Sequence, residues 1–108
     1  MISIDDFGKL DLRVAEILEV NDHPNADRLY VMKIKIGEEE RSLVAGIKQH
    51  YSKEELIGKK IVVIANLEPI ELRGVKSEGM LLAASNKDKS KVVLATVDQD
   101  IESGAKLG

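Results

Sequence analysis

The sequence predicts an all-β domain: a five-stranded Greek-key barrel with one short helix between the third and fourth strands and a carboxy-terminal extension that contains further strand. Three observations carry this. Apolar and charged residues alternate with period two in the clearest segments, turn-forming clusters separate the apolar runs, and helix-start spacing occurs only before short stretches. The chain of 108 residues is long enough for one domain, here residues 1–108, and too short for two with separate cores.

Ser3 and Asp6 stand at capping-box spacing and support one or two helical turns at most. After Gly8, Leu10, Leu12 and Val14 alternate with charged residues until the phase changes near Ala15 and Glu16, which reads as a long, bent strand with a bulge. The cluster Asn21-Asp22-His23-Pro24-Asn25-Ala26-Asp27 turns the chain, Pro24 keeping His23 out of helix. In LYVMKIKI, Tyr30, Met32, Ile34 and Ile36 share one face, and Lys33 and Lys35 share the other. Gly37 to Glu40 form the return turn, and RSLVAG is a shorter third strand.

Ser52 and Glu55 again have capping-box spacing, Leu56 and Ile57 give the helix an apolar side, and Gly58 stops it. IVVIANL is a continuous apolar fourth strand, NLEPIELRGVKSE a long polar connection, and GMLLAAS the fifth strand. This order is that of the oligonucleotide-binding fold. Residues 85–108 exceed the barrel, and their VVLATV run is expected to cover an edge and to take part in dimerisation.

Composition narrows the function. The chain is 44% hydrophobic with only 3% aromatic residues, so its core must be aliphatic. Its net charge of -3 excludes a uniformly basic protein held to polyanions by its overall field. The charge is uneven, however: residues 1–40 hold 5 basic against 10 acidic groups, whereas residues 41–80 hold 7 against 5. Any affinity for nucleic acid must come from a local patch.

Without cysteine, disulfides, thiolate metal sites and cysteine nucleophiles are excluded, and His23 and His50 lack metal-ligand spacing. His23 reads as a hydrogen-bonding turn residue. No nucleophile elbow, Walker loop or dinucleotide-binding loop is present, and the acidic pairs sit where caps and turns explain them. The expectation is a non-enzyme with no catalytic residue, metal or cofactor. The start lacks a secretory leader and no run reaches the ~20 apolar residues of a membrane span, so the cytoplasm is expected.

Lys33 and Lys35 project together from the second strand, and Arg41 follows the turn that returns toward them. Arg73-Gly74-Val75-Lys76-Ser77-Glu78-Gly79-Met80 places two cations, a hydroxyl and two flexible positions at the entrance to a strand. Arginine grips phosphate with paired donors, lysine attracts it at longer range, serine bonds phosphate or ribose, and Met80 packs on a base or sugar. With Phe7, Tyr30 and Tyr51 as the only aromatics, stacking platforms for single strands are scarce, which favours a structured RNA read through its backbone and shape.

Taken together, DLRVAEILEV, HPNADRL, VAGI, ELIGKKIVVIANLEP and RGVKSEGMLLAAS closely resemble the tRNA-binding domain found in carboxy-terminal extensions of methionyl-tRNA synthetase and in free-standing tRNA-binding proteins. The resemblance spans essentially the whole chain. It implies an oligonucleotide-binding barrel, a homodimer built with the extension, and tRNA held through its folded outer shape, in trans or as an appendage of a synthetase catalytic chain. By likeness, Lys33, Arg41, Arg73, Ser77 and Met80 match RNA-contact positions, and Asn66 supports the neighbouring loop or contacts RNA. The chain departs from the pattern around the NL-x-P loop, where related chains often place basic residues and this sequence has Glu68, Ile70 and Glu71. An alternative reading is a homodimerisation or synthetase-assembly domain with weak or no RNA binding.

Overall fold

The computed structural model describes residues 1–108. Alternating burial over Tyr30–Ile36 shows how the sequence makes its sheet: Tyr30, Met32 and Ile34 are buried while Lys33 and Lys35 are exposed. This strand, β2, pairs antiparallel with β1 (Leu12–Asp22) on one side and with β3 (Glu39–Ala45) on the other. The β1 bulge lies at Leu18, slightly later than the sequence suggested, because Ile17 faces Ile34 and Glu19 faces Lys33. It lets Ile17 and Val20 both reach the core. Between β2 and β3 the turn is confined to Gly37 and Glu38, with Gly37 at φ +64°, so Glu39 and Glu40 belong to the strand.

Two four-residue helices form where the capping boxes stand: α1 (Ile4–Phe7) behind Ser3 and α2 (Lys53–Leu56) behind Ser52. Leu56 plugs α2 into the core. The fourth strand, β4 (Lys60–Ile64), is buried from Ile61 onward and lies against β1. The stretch expected to be a polar connection instead folds as a hairpin, β5 (Ile70–Leu72) with β6 (Val75–Ser77). The expected fifth strand is interrupted at Leu82, giving β7 (Met80–Leu81) on β4 and β8 (Ala83–Ser85), which pairs with β9 (Val92–Leu94). A last short strand, β10 (Lys106–Leu107), pairs with the start of β1.

The Greek-key barrel expected from the sequence does not close. The sheet runs β3-β2-β1-β4-β7 as an open, curled half-barrel whose edges stay 7 Å apart. The reason is local. The chain enters β7 through Gly79 at φ +141°, and β7 lasts only two residues, too short to run a ladder along β3. Side chains fasten the seam instead. Arg41 lies opposite Ile34 and so points inward. Its guanidinium donates to the carbonyls of Ala65 and Glu78 and is held from behind by Glu39 at 3.0 Å. Ser77 is buried, and its Oγ accepts from the Val44 amide at 3.0 Å and donates to the Gly79 carbonyl at 3.2 Å. The Glu78 amide donates to the Ser42 carbonyl at 2.8 Å.

The core is aliphatic, as the composition requires, with Ile17, Met32, Ile34, Leu43, Leu56 and Ile61 fully enclosed. Tyr30 is its one aromatic member and satisfies its hydroxyl on the Tyr51 carbonyl at 2.8 Å. No helix is long and apolar enough to cross a membrane.

Asp22, at the end of β1, binds Lys48 at 3.1 Å and Lys53 at 3.2 Å and so ties α2 to the sheet. The hydrogen-bonded ammonium groups of Lys48 and then Lys53 hold its carboxyl below the ordinary value of 3.8. A depressed folded-state value means that the stabilisation is complete above 3.8 and is lost as the pH falls through the depressed value. The unfolding midpoint of Asp22→Asn should therefore lie below that of the parent at neutral pH and converge on it in acid. Parallel curves at all pH values would contradict the linkage.

Candidate nucleic-acid interface

The loop between β1 and β2 and the β5–β6 hairpin, some 50 residues apart in sequence, are locked together by His23. Its Nδ1 accepts from the Asn25 amide at 2.9 Å, so the proton of the neutral ring sits on Nε2 and is donated to the Leu72 carbonyl at 2.8 Å. His23 is 5% exposed. Its expected role as a hydrogen-bonding turn residue is thus the observed one, with a partner across the fold. Asn25 adds a second tie, Nδ2 donating to the Arg73 carbonyl at 3.2 Å.

Those two carbonyls lie at the entry to the hairpin turn and within it. Arg73 has φ +53° and Gly74 φ +88°, the two successive left-handed residues of a type I′ connection between the paired Leu72 and Val75. Asparagine is the usual first residue of such a turn, and a longer side chain there costs about 1–2 kcal/mol. The backbone is held in that state by His23 and Asn25, and Arg73 is exposed on it. Arg73 and Arg28 line one depression of about 440 Å3 with the loop residues Asn25 to Leu29. Neither arginine forms an ion pair, and Asp27 is the only acid lining the depression. Two planar, uncommitted guanidinium groups on a fixed backbone suit phosphate oxygens.

The other residues singled out in the sequence are dispersed. Lys33 lies on the outer sheet face, its ammonium 3.9 Å from both Glu19 and Glu40. Lys35 is in register with Glu16 and Glu40. These carboxylates cancel much of the field that the two lysines would project. Lys33 and Arg41 do line a shared depression of about 240 Å3, but Arg73 is not part of it. Arg41 and Ser77 are committed to the seam. Asn66 spends its side chain on the segment before β1, accepting from the Asp11 amide at 2.8 Å and donating to the Lys9 carbonyl at 2.7 Å.

Lys76 is exposed on the β5–β6 hairpin, in register with Glu71. Met80 is 48% exposed and, with Leu67, Ile70 and Leu72, lines an apolar groove of about 610 Å3 beside that hairpin. Of the expected set, then, only Arg73 belongs to the loop junction, with Lys76 and Met80 on the adjoining hairpin and groove. Arg28, His23 and Asn25 complete the junction. They lie within HPNADRL, whose turn chemistry is legible in the sequence and whose partner is not.

The chain matches the family model described as "Putative tRNA binding domain" over residues 12–106. It is 58% identical over 106 residues to the methionine–tRNA ligase of Thermococcus kodakarensis and 56% identical to that of Caldanaerobacter subterraneus, covering 98% of this chain but only 14% and 16% of those ligases. Among solved structures, a MetRS related protein from Pyrococcus horikoshii superposes with a TM-score of 0.93 at 32% identity, covering 100% of this chain and 98% of that one. The CsaA chaperone protein from Picrophilus torridus gives 0.90 at 37% identity and covers both chains fully. The match over nearly the whole chain and these identities show that it belongs to the tRNA-binding domain family.

Proposed function

We propose that this domain binds folded tRNA through phosphate-backbone and shape contacts, without catalysis of its own, as an appendage of a methionine–tRNA ligase or in trans to one. The observation that carries the reading is the Arg28–Arg73 pair, two guanidinium groups free of carboxylate partners on a backbone fixed by His23 and Asn25. Lys76 and Met80 extend the contact along the hairpin and groove, while Lys33 and Lys35 add long-range attraction damped by Glu16, Glu19 and Glu40. Arg41, Ser77 and Asn66 act from beneath, holding the seam and the loop that present the surface.

The place of action is the cytoplasm, where tRNA is charged and used. The assembly is a homodimer in which residues 85–108 take part, a reading supported by half-exposed Val93 and Ile101 in that segment.

A competition assay with folded tRNA, the same tRNA unfolded, and an RNA duplex, each at several salt concentrations, tests the reading. Folded tRNA should compete best, with affinity falling linearly on a log–log salt plot. Equal competition by the unfolded form, or no binding at low salt, would overturn it.

A further inference from the structure

The densest run of positive charge in the chain lies outside the loop junction, at the tip of the β8–β9 hairpin. Residues 86–91 read Asn-Lys-Asp-Lys-Ser-Lys, three lysines against one aspartate, in a protein of net charge -3. All three lysines are exposed and none is within ion-pair distance of a carboxylate. The contrast with Lys33, Lys48, Lys53 and Lys60, which are all paired, is direct.

The tip is built rigidly. Asn86 Nδ2 donates to Ser90 Oγ at 2.9 Å, and its Oδ1 accepts from the Lys91 amide at 3.0 Å. Asp88 accepts from both the amide and the hydroxyl of Ser90, at 3.1 and 2.7 Å. The single acid of the tip is thus engaged by the turn itself. Lys89 sits at φ +59°, at the crest of the turn. The base of the hairpin is anchored beside β4, where the Leu82 amide donates to the Val62 carbonyl and the Val62 amide to the Ala95 carbonyl. The β5–β6 hairpin, by contrast, leaves the sheet beyond Ile64, at the far end of β4. Thr96, just past β9, donates its Oγ1 to the Lys60 carbonyl at 2.6 Å, so the base of β8–β9 meets the first half of β4, whereas the β5–β6 hairpin follows its last residue.

We propose that the β8–β9 tip is a second, independent contact for the RNA phosphate backbone, in which Lys87, Lys89 and Lys91 engage a part of the folded RNA separate from that held by Arg28 and Arg73. This rests on the tRNA reading above. Lysine is the fitting residue for it: three mobile ammonium groups on a fixed turn follow a phosphate ridge as point charges without reading bases. A ligand that engages both tips at once must be long enough to reach from one hairpin to the other.

The test measures binding of an unmodified tRNA transcript from 50 to 200 mM salt by four proteins: the parent, Lys87→Gln/Lys89→Gln/Lys91→Gln, the matching triple arginine variant, and Arg28→Gln. The glutamine variant should keep the parent unfolding midpoint, bind about ten- to a hundredfold more weakly at 100 mM salt, and show a log–log slope shallower by about 2–3. The arginine variant should bind like the parent. Parent-like affinity and slope in the glutamine variant, alongside weakened binding in Arg28→Gln, would overturn the second contact and leave the tRNA reading standing. No binding by the parent would bring down both. Weakened binding in the arginine as well as the glutamine variant would overturn the proposal too, since it would show that the turn, not its charge, matters.

Discussion

Replacing Arg73 by asparagine is expected to raise the unfolding midpoint while lowering affinity for tRNA about tenfold. The two effects have separate causes. Arg73 occupies a left-handed backbone position, φ +53°, that asparagine adopts more readily, so the folded hairpin should gain up to about 1 kcal/mol. The same change removes one of two uncommitted guanidinium groups from the depression it shares with Arg28. With one fewer phosphate neutralised, the log–log salt dependence should also flatten by about 0.7–0.9. Adding Arg28→Gln should weaken binding further without touching the turn. Thermal unfolding and a filter-binding titration on the same samples suffice. Stability and affinity falling together would point to a damaged hairpin and against a direct contact.

Gly104→Ala should have the largest effect on stability of any glycine-to-alanine change, a loss of about 2–5 kcal/mol. An added Cβ would stand 2.9 Å from both the Cα and the amide nitrogen of Gly37, backbone atoms that cannot yield without moving the β2–β3 turn. Gly104 also has φ +93°, which strains any L side chain by about 1–3 kcal/mol. The position matters because the Gly104 amide donates to the Val14 carbonyl at 2.7 Å, the Val14 amide to the Ala105 carbonyl at 2.9 Å, and Arg13 to the Gly104 carbonyl at 3.0 Å. Displacing the segment strips one side of β1. Gly58→Ala is the internal control: at φ +85° but with no heavy atom near the added Cβ, it should cost the strain alone. Equal losses from the two changes would show that the approach to Gly37 is unimportant.

Much of the sheet is legible in the sequence because its signals are local. Met32, Lys33, Ile34 and Lys35 announce an alternating strand, and Ser52 with Glu55 announces a helix start. The β5–β6 hairpin is hidden because its strands are three residues long and carry Glu71 and Lys76 on the outer face, a pattern that a polar loop shares. Closure is hidden too, because it depends on the two-residue length of β7, which follows from the break at Leu82 and not from the apolar run. The site is legible in the same measure. Arg73 stands out beside Gly74 in a short polar stretch. Arg28, His23 and Asn25 acquire meaning only when a loop meets a hairpin some 50 residues away. The lysines of β2 look free in the sequence because their carboxylate neighbours are set by cross-strand register, which the Leu18 bulge shifts.

The most direct test follows the backbone amides of the isotopically labelled protein by NMR during titration with folded tRNA. If the loop junction holds the RNA, the amides of His23, of residues 25–28 and of residues 72–76 should shift or broaden first, and those of Glu16, Glu19, Lys33 and Glu40 on the acid-damped sheet face should change least. Early changes confined to that sheet face, with the junction unmoved, would contradict the assignment.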